Sequence, residues 1–146
     1  MQRKREKRPY MRKIDFVFYN ERAIRAAVED ARNDTREVSP RNGSGLPDPT
    51  AYEAITNLTP IPAVEISGQL LEHPERWLVV VDKTYAWCRR QSDVHYEIAR
   101  RRYNGESFLQ ISMKLYVSTT QVFEILERIR MYAALQAAQF QLIFVD

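Results

Sequence analysis

The chain has 146 residues, 45% of them hydrophobic and 11% aromatic, with a formal net charge of +3. That is enough apolar material for one compact domain with an appendage, so wholesale disorder is not expected, and no apolar run approaches the ~20 residues a membrane-spanning helix needs. A single cysteine, Cys88, excludes an internal disulfide and any Cys-x-x-Cys metal motif.

The charge is unevenly spread. Residues 1–13 carry seven Lys/Arg against Glu6, residues 14–85 carry seven basic and twelve acidic side chains, and residues 86–146 carry eight basic and six acidic. The sum is +6 − 5 + 2 = +3, so the basic balance belongs to the ends and the middle is acidic. The first thirteen residues read as a basic N-terminal arm of the kind that suits a phosphate backbone, because each neutralised phosphate releases counterions. No apolar segment follows the arm as in a secretory signal, and a cytoplasmic location is the expectation.

After the arm, helical spacing of Phe16, Tyr19/Asn20, Ala23/Ile24, Ala27 and Val28/Ala31 predicts one helix from Phe16 to Arg32. Asn33 to Pro49 is loop chemistry, with Ser39-Pro40, Asn42-Gly43-Ser44-Gly45 and Pro47-Asp48-Pro49, and reads as a linker. Asp48-Pro49 can open a short helix to about Leu58, and Thr59 to Gly68, with Pro60 and Pro62, reads as irregular. From His73 a helix is expected: Pro74 suits its first turn, Glu75 its positive end, and Trp77, Leu78, Val81, Tyr85 and Cys88 form an apolar face to about Arg90. The strand propensity of Val79 to Val81 is outweighed by that longer pattern. The organisation expected is an arm (1–13), an N-terminal helical region with Pro/Gly loops (14–68) and a C-terminal domain (69–146).

Three short segments then follow. Ser92 can cap a helix from Asp93 to about Tyr103, which Asn104-Gly105 stops by offering a left-handed residue. Ser107 with Gln110 makes an S-x-x-Q capping box for a second helix holding Phe108, Ile111, Ser112 and Leu115 and ending at Tyr116-Val117. Ser118, again with a glutamine three residues on, caps a third helix with the core stripe Val122, Ile125/Leu126, Ile129 and Ala133. A short helix, a three- or four-residue turn and a capped longer helix are the sequence form of a helix-turn-helix, whose second helix enters the DNA major groove by its N-terminal end. The fold class expected is all-α.

Arg101-Arg102-Tyr103-Asn104-Gly105, then Ile111-Ser112, Leu115, Val117-Ser118, Val122 and Ile125 to Ile129, resemble the helix-turn-helix of sigma-factor region 4-like domains. Within that group the chain is similar to small phage-encoded activators of the RinA and ArpU sort; Pro74 to Leu78 and the long last helix fit, and the likeness covers about the last seventy residues. Ser112 departs from the usual alanine, and its hydroxyl needs a partner. The resemblance implies a sequence-specific transcriptional regulator, a phage or prophage late-gene activator. Its implied partner is double-stranded DNA, with RNA polymerase and a second copy of the chain as further candidates and no membrane.

With Val122, Ile125, Leu126 and Ile129 facing the core, Ser118, Thr119, Thr120 and Gln121 stand at the entering end of the third helix, where glutamine can read adenine and hydroxyls can meet bases or phosphates. Glu124 could accept from cytosine. Lys114, Arg128 and Arg130 are the expected phosphate contacts, together with Arg101 from the run Arg100–Arg102, whose members point about 100° apart and cannot all face one strand. The plainer roles are caps for Ser118 and Gln121 and a solvated face for the arginine run. Phe123, apolar on the polar face, suits a contact to the N-terminal part or to a partner. Ala133/Ala134 and Ala137/Ala138 allow close helix packing, within the chain or against another copy.

Catalysis is not expected: there is no His-Glu-x-x-His, no Gly-x-Ser-x-Gly and no phosphate loop, and the chain has only four glycines. No cofactor or metal is expected either, since Cys88 and His95 are two ligands where a structural zinc needs four. The competing function is the small subunit of a phage terminase, in which a similar element would deliver DNA to a packaging motor.

Overall fold

The computed structural model describes residues 8–38 and 59–144. Among them it contains six helices and one two-stranded antiparallel sheet, in the order α1 (Pro9–Tyr19), α2 (Glu21–Val38), β1 (Ala63–Ile66), β2 (Gln69–Glu72), α3 (Pro74–Gln91), α4 (Asp93–Tyr103), α5 (Phe108–Leu115) and α6 (Thr119–Gln139). Two compact units result: residues up to Tyr19 with Val79 onward, and Asn20–Leu78. The first seven residues of the basic arm, the linker from residue 39 on and the helix expected before Leu58 lie outside the described residues. The protein is mostly helical, and no described helix is long and apolar enough to cross a membrane.

Three expectations are corrected. The single helix from Phe16 to Arg32 is two, broken at Asn20, a residue whose amide competes for backbone bonds. The second of them runs on to Val38, because Asn33 to Val38 contains no proline or glycine; the breaking residues begin at Ser39-Pro40. The irregular stretch before Gly68 holds a hairpin instead, so the fold is not purely α.

In the unit Asn20–Leu78, β1 and β2 pair with Val64 opposite Leu71 and Ile66 opposite Gln69. Ser67 and Gly68 join them with φ of 50° and 77°, the pair of left-handed residues that makes a two-residue turn match strand twist. Val64, Ile66 and Leu71 are buried, as is Ile24 on α2, which packs on β1. The polar centre of this unit is Glu75, in the first turn of α3. Its carboxylate takes a bond from the Ile61 N–H at 2.9 Å and pairs with Arg32, whose guanidinium also reaches the Thr59 carbonyl. Burial works to raise the Glu75 pKa, but the bonds from Arg32 and Ile61 outweigh it and hold it below the usual carboxylate value.

In the other unit the last helix is the spine. Val122, Ile125, Leu126, Ile129, Ala133, Ala134 and Ala137 of α6 are buried, and α1, α4 and α5 pack against it. The alanines thus serve packing within the chain. Val80, Val81 and Cys88 of α3 are buried too; Val79 to Val81 are helical, as length and flanking pattern require. The Tyr103 ring lies with its centroid 5.0 Å from those of both Phe18 and Tyr19, and Trp87 stacks on Tyr132 at 4.7 Å. Burial pushes the Cys88 thiol up to about 12, so it stays protonated.

One charged cluster lies inside this core. Asp15 of α1, 7% exposed, meets Arg130 of α6, 4% exposed. Arg130 Nε and Nη2 both donate to the Asp15 carboxylate (3.0 and 3.3 Å), the Tyr103 hydroxyl donates to it at 3.0 Å, and Arg130 Nη1 reaches Glu127 at 2.7 Å. Burial disfavours the Arg130 charge, but the neighbouring oxygens of Tyr103, Asp15 and Glu127 more than offset it. Burial first, then the Asp15 charge, keeps Tyr103 protonated.

Two outcomes test these clusters. Asp15→Asn leaves Arg130 buried with only the more exposed Glu127 as counter-charge and is expected to cost about 3 kcal/mol in urea unfolding; Arg130→Met in the same chain should recover part of that loss. For Glu75 the depressed folded pKa means its contribution is complete above the ordinary carboxylate value and is lost as pH falls through the folded one. Unfolding profiles of wild type and Glu75→Gln between pH 7 and 3 should therefore converge at the acid end.

Candidate nucleic-acid interface

The segment from α4 to α6 is built from local signals that can be followed atom by atom. Ser92 caps α4 by accepting from the His95 N–H at 3.1 Å, with Asp93 in the first turn and Arg100, Arg101 and Arg102 in the last, so both ends complement the helix dipole. The helix stops at Asn104-Gly105, where Gly105 has φ 97° and the Glu106 N–H returns to the Arg101 carbonyl at 3.1 Å. Ser107 and Gln110 complete both halves of the expected capping box: the Gln110 N–H donates to Ser107 Oγ at 3.1 Å, and the Ser107 N–H donates to Gln110 Oε1 at 2.9 Å.

α5 ends at Tyr116, a left-handed residue with φ 57° and ψ 41°. The N–H groups of Tyr116 and Val117 both return to the Ser112 carbonyl, and the Ser112 hydroxyl donates to the Val117 carbonyl. The hydroxyl that replaces the usual alanine methyl therefore has its partner, and Ser112 latches the turn from both sides. Ser118 then caps α6, accepting from the Gln121 N–H at 3.0 Å.

Here the two S-x-x-Q segments differ. The side chain of Gln110 is spent on its box. That of Gln121 is exposed and has no hydrogen-bond partner among the described residues. Ser118, Thr119, Thr120 and Gln121 thus form an exposed polar group at the N-terminal end of α6, and Glu124 lies exposed on the next turn.

The expected cations are placed less uniformly. Arg128 is exposed and pairs with no carboxylate among the described residues. Lys114 bonds Glu106 at 2.7 Å, and Arg101 is shared between Glu97 and Glu106 at 3.0 and 3.4 Å, so Glu106, which sequence reasoning did not single out, ties up two of the four expected phosphate ligands. The bond from Lys114, outweighing partial burial and aided by Arg101, keeps Glu106 ionised to lower pH than usual. Arg130 is no surface contact at all: it is buried on Asp15. The arginine run fans out as its 100° spacing demands, with Arg100 exposed on Glu97 and Arg102 stacked 4.5 Å over the Phe108 ring.

That ring also explains Phe123. It meets Phe108 edge-on with centroids 6.3 Å apart, so the odd aromatic on the polar face packs on α5 and leaves half its surface open. His95, in the first turn of α4, shares a hydrogen bond of 2.8 Å between its ring and Ser92 Oγ and meets the Trp87 ring edge-on; burial, then the charge of Arg128, lowers its pKa. Among the described residues no three His, Cys, Asp or Glu side chains converge on a metal site.

Compared with known proteins, the chain matches no family model, no curated protein and no solved structure.

Ser112→Ala tests the latch. Losing the hydroxyl bond costs about 1 kcal/mol, of which the better helix propensity of alanine returns roughly half. A small net destabilisation is expected, with faster amide exchange concentrated at Tyr116 and Val117.

Proposed function

We propose that α4, α5 and α6 act as a helix-turn-helix and that the protein is a sequence-specific DNA-binding regulator of transcription. The observation that carries this is the exposed, capped start of α6, where Thr119, Thr120 and Gln121 stand free of the core while Val122, Ile125, Leu126 and Ile129 anchor the helix behind them. A helix held by one face and presented by its N-terminal turn is what major-groove reading requires, and the unspent Gln121 amide has the two-bond geometry that adenine offers. Arg128 supplies a phosphate contact, and Lys114 and Arg101 supply two more by exchanging Glu106 for phosphate.

In particular, the likeness of the same stretch to small phage-encoded activators favours a late-gene activator of phage or prophage. Such a protein engages its operator alone or as a second copy, and meets RNA polymerase through surfaces outside the reading end.

Selection of duplexes from a random library, followed by titration at several salt concentrations, tests the proposal. The wild type should recover a preferred sequence and lose affinity steeply with salt. Thr119→Ala/Thr120→Ala/Gln121→Ala should erase the preference while keeping the fold; Arg128→Ala should weaken binding to all sequences and reduce the salt slope by about 1. A folded triple variant that keeps the preferred site at full affinity would sink the assignment. Glu106→Gln, which releases Lys114 and Arg101, should tighten binding and steepen the salt dependence.

A further inference from the structure

Tyr116 is the most exposed large apolar residue among those described, at 94%, and it is held in a conformation that disfavours it. A left-handed backbone costs a residue with a Cβ about 1–2 kcal/mol, a cost glycine escapes, and the turn after α5 needs that conformation to return the Tyr116 and Val117 N–H groups to Ser112. Packing gives nothing back: the ring covers no part of the core, and the hydroxyl has no partner among the described residues. Stability alone would place glycine here. A strained, uncovered side chain is an outlier that calls for a function outside the fold.

Its position supplies one. Tyr116 lies two residues before the Ser118 cap, in the turn that leads into the reading end, with Lys114 two residues before it. We propose that Tyr116 is a positioning residue whose hydroxyl donates to a phosphate oxygen at the edge of the groove that α6 enters. This rests on the DNA-binding function proposed above. A turn residue ahead of a groove-entering helix stands at the wall of the groove, where phosphates are and base edges are not. Tyrosine hydroxyls are regular phosphate donors. The contact sets the depth and angle of α6 and does not read sequence.

The chemistry makes the effect separable from that of the cations. Tyrosine brings a donor without a charge, so its contact releases no counterion and adds nothing to the salt slope. The test uses the full chain with two duplexes, the wild-type-selected site and an unrelated sequence of equal length. Tyr116→Phe and Tyr116→Gly should each weaken binding to both duplexes by roughly tenfold, the worth of one hydrogen bond to a charged acceptor at the lower end of its range. The salt slope and the ratio between the two sequences should stay unchanged. Tyr116→Gly should melt at the same or a higher temperature than wild type, which shows that affinity and not folding was lost. If wild type binds and either variant stays within twofold of it, Tyr116 is not a phosphate contact and the helix-turn-helix stands without it. A variant that shifts the sequence ratio or lowers the salt slope also overturns the assignment. If wild type binds neither duplex, the DNA-binding function itself fails and takes this contact with it.

Discussion

Asp15 and Arg130 are 115 positions apart in sequence and form an almost fully buried ion pair, closed by the Tyr103 hydroxyl. Three helices meet there: α1, α4 and α6. The net worth of such a pair is modest, because two charges had to leave water, but the penalty for separating it is large. The pair therefore acts as a selector. If α1 docked one turn out of register, the Asp15 carboxylate would lose Arg130 and Tyr103, and the guanidinium would keep only Glu127. The surrounding apolar residues tolerate sliding far better than that.

With α6 fixed on its inner face, its outer end is left to local chemistry. Caps at Ser92, Ser107 and Ser118 start three helices, Gly105 and Tyr116 end two, and Ser112 ties the intervening turn. None of these bonds reaches far along the chain, so the presentation of Thr119 to Gln121 is preset by a stretch of about thirty residues. Electrostatics then set the strength of any grip. Glu106 holds Lys114 and Arg101, leaving Arg128 as the exposed cation closest to a free state in this stretch. If the element binds DNA as proposed, its own grip is weak, and the basic residues ahead of α1 matter to it correspondingly more.

This division explains what could be read from sequence. The α4–α6 segment was legible because capping boxes and left-handed stops are written within four or five residues. The buried stripe of α6 was legible because it keeps 3.6-residue spacing for about four turns. The hairpin was not: Pro60 and Pro62 suggested irregular chain, and strands of four residues are too short to establish a period, although Val64-Glu65-Ile66 before Ser67-Gly68 carried the alternation. Arg130 reads as a surface cation from its charge alone, yet it is buried. Its place between Leu126 and Ala133, four after one and three before the other, puts it on the buried stripe. Asp15 sits equally on the stripe of Met11 and Phe18. Two opposite charges on two buried stripes was the available signal. Glu106 depends on which side chains meet across a turn, and Tyr116 on a left-handed backbone under an exposed ring, and spacing encodes neither.

The long span of the Asp15–Arg130 pair also bears on how the protein is made. Synthesis delivers α1 well before α6, so Asp15 and its apolar neighbours Ile14, Val17 and Phe18 wait while the 115 positions to Arg130 are made. Contacts of such separation close late, after the cost of a long loop has been met. The α4–α6 segment, made entirely of neighbours, closes as soon as it emerges. The α4–α6 segment is thus closed before α1 docks behind it, and until then the apolar face of α1 stays uncovered, open to a chaperone or to a second nascent copy.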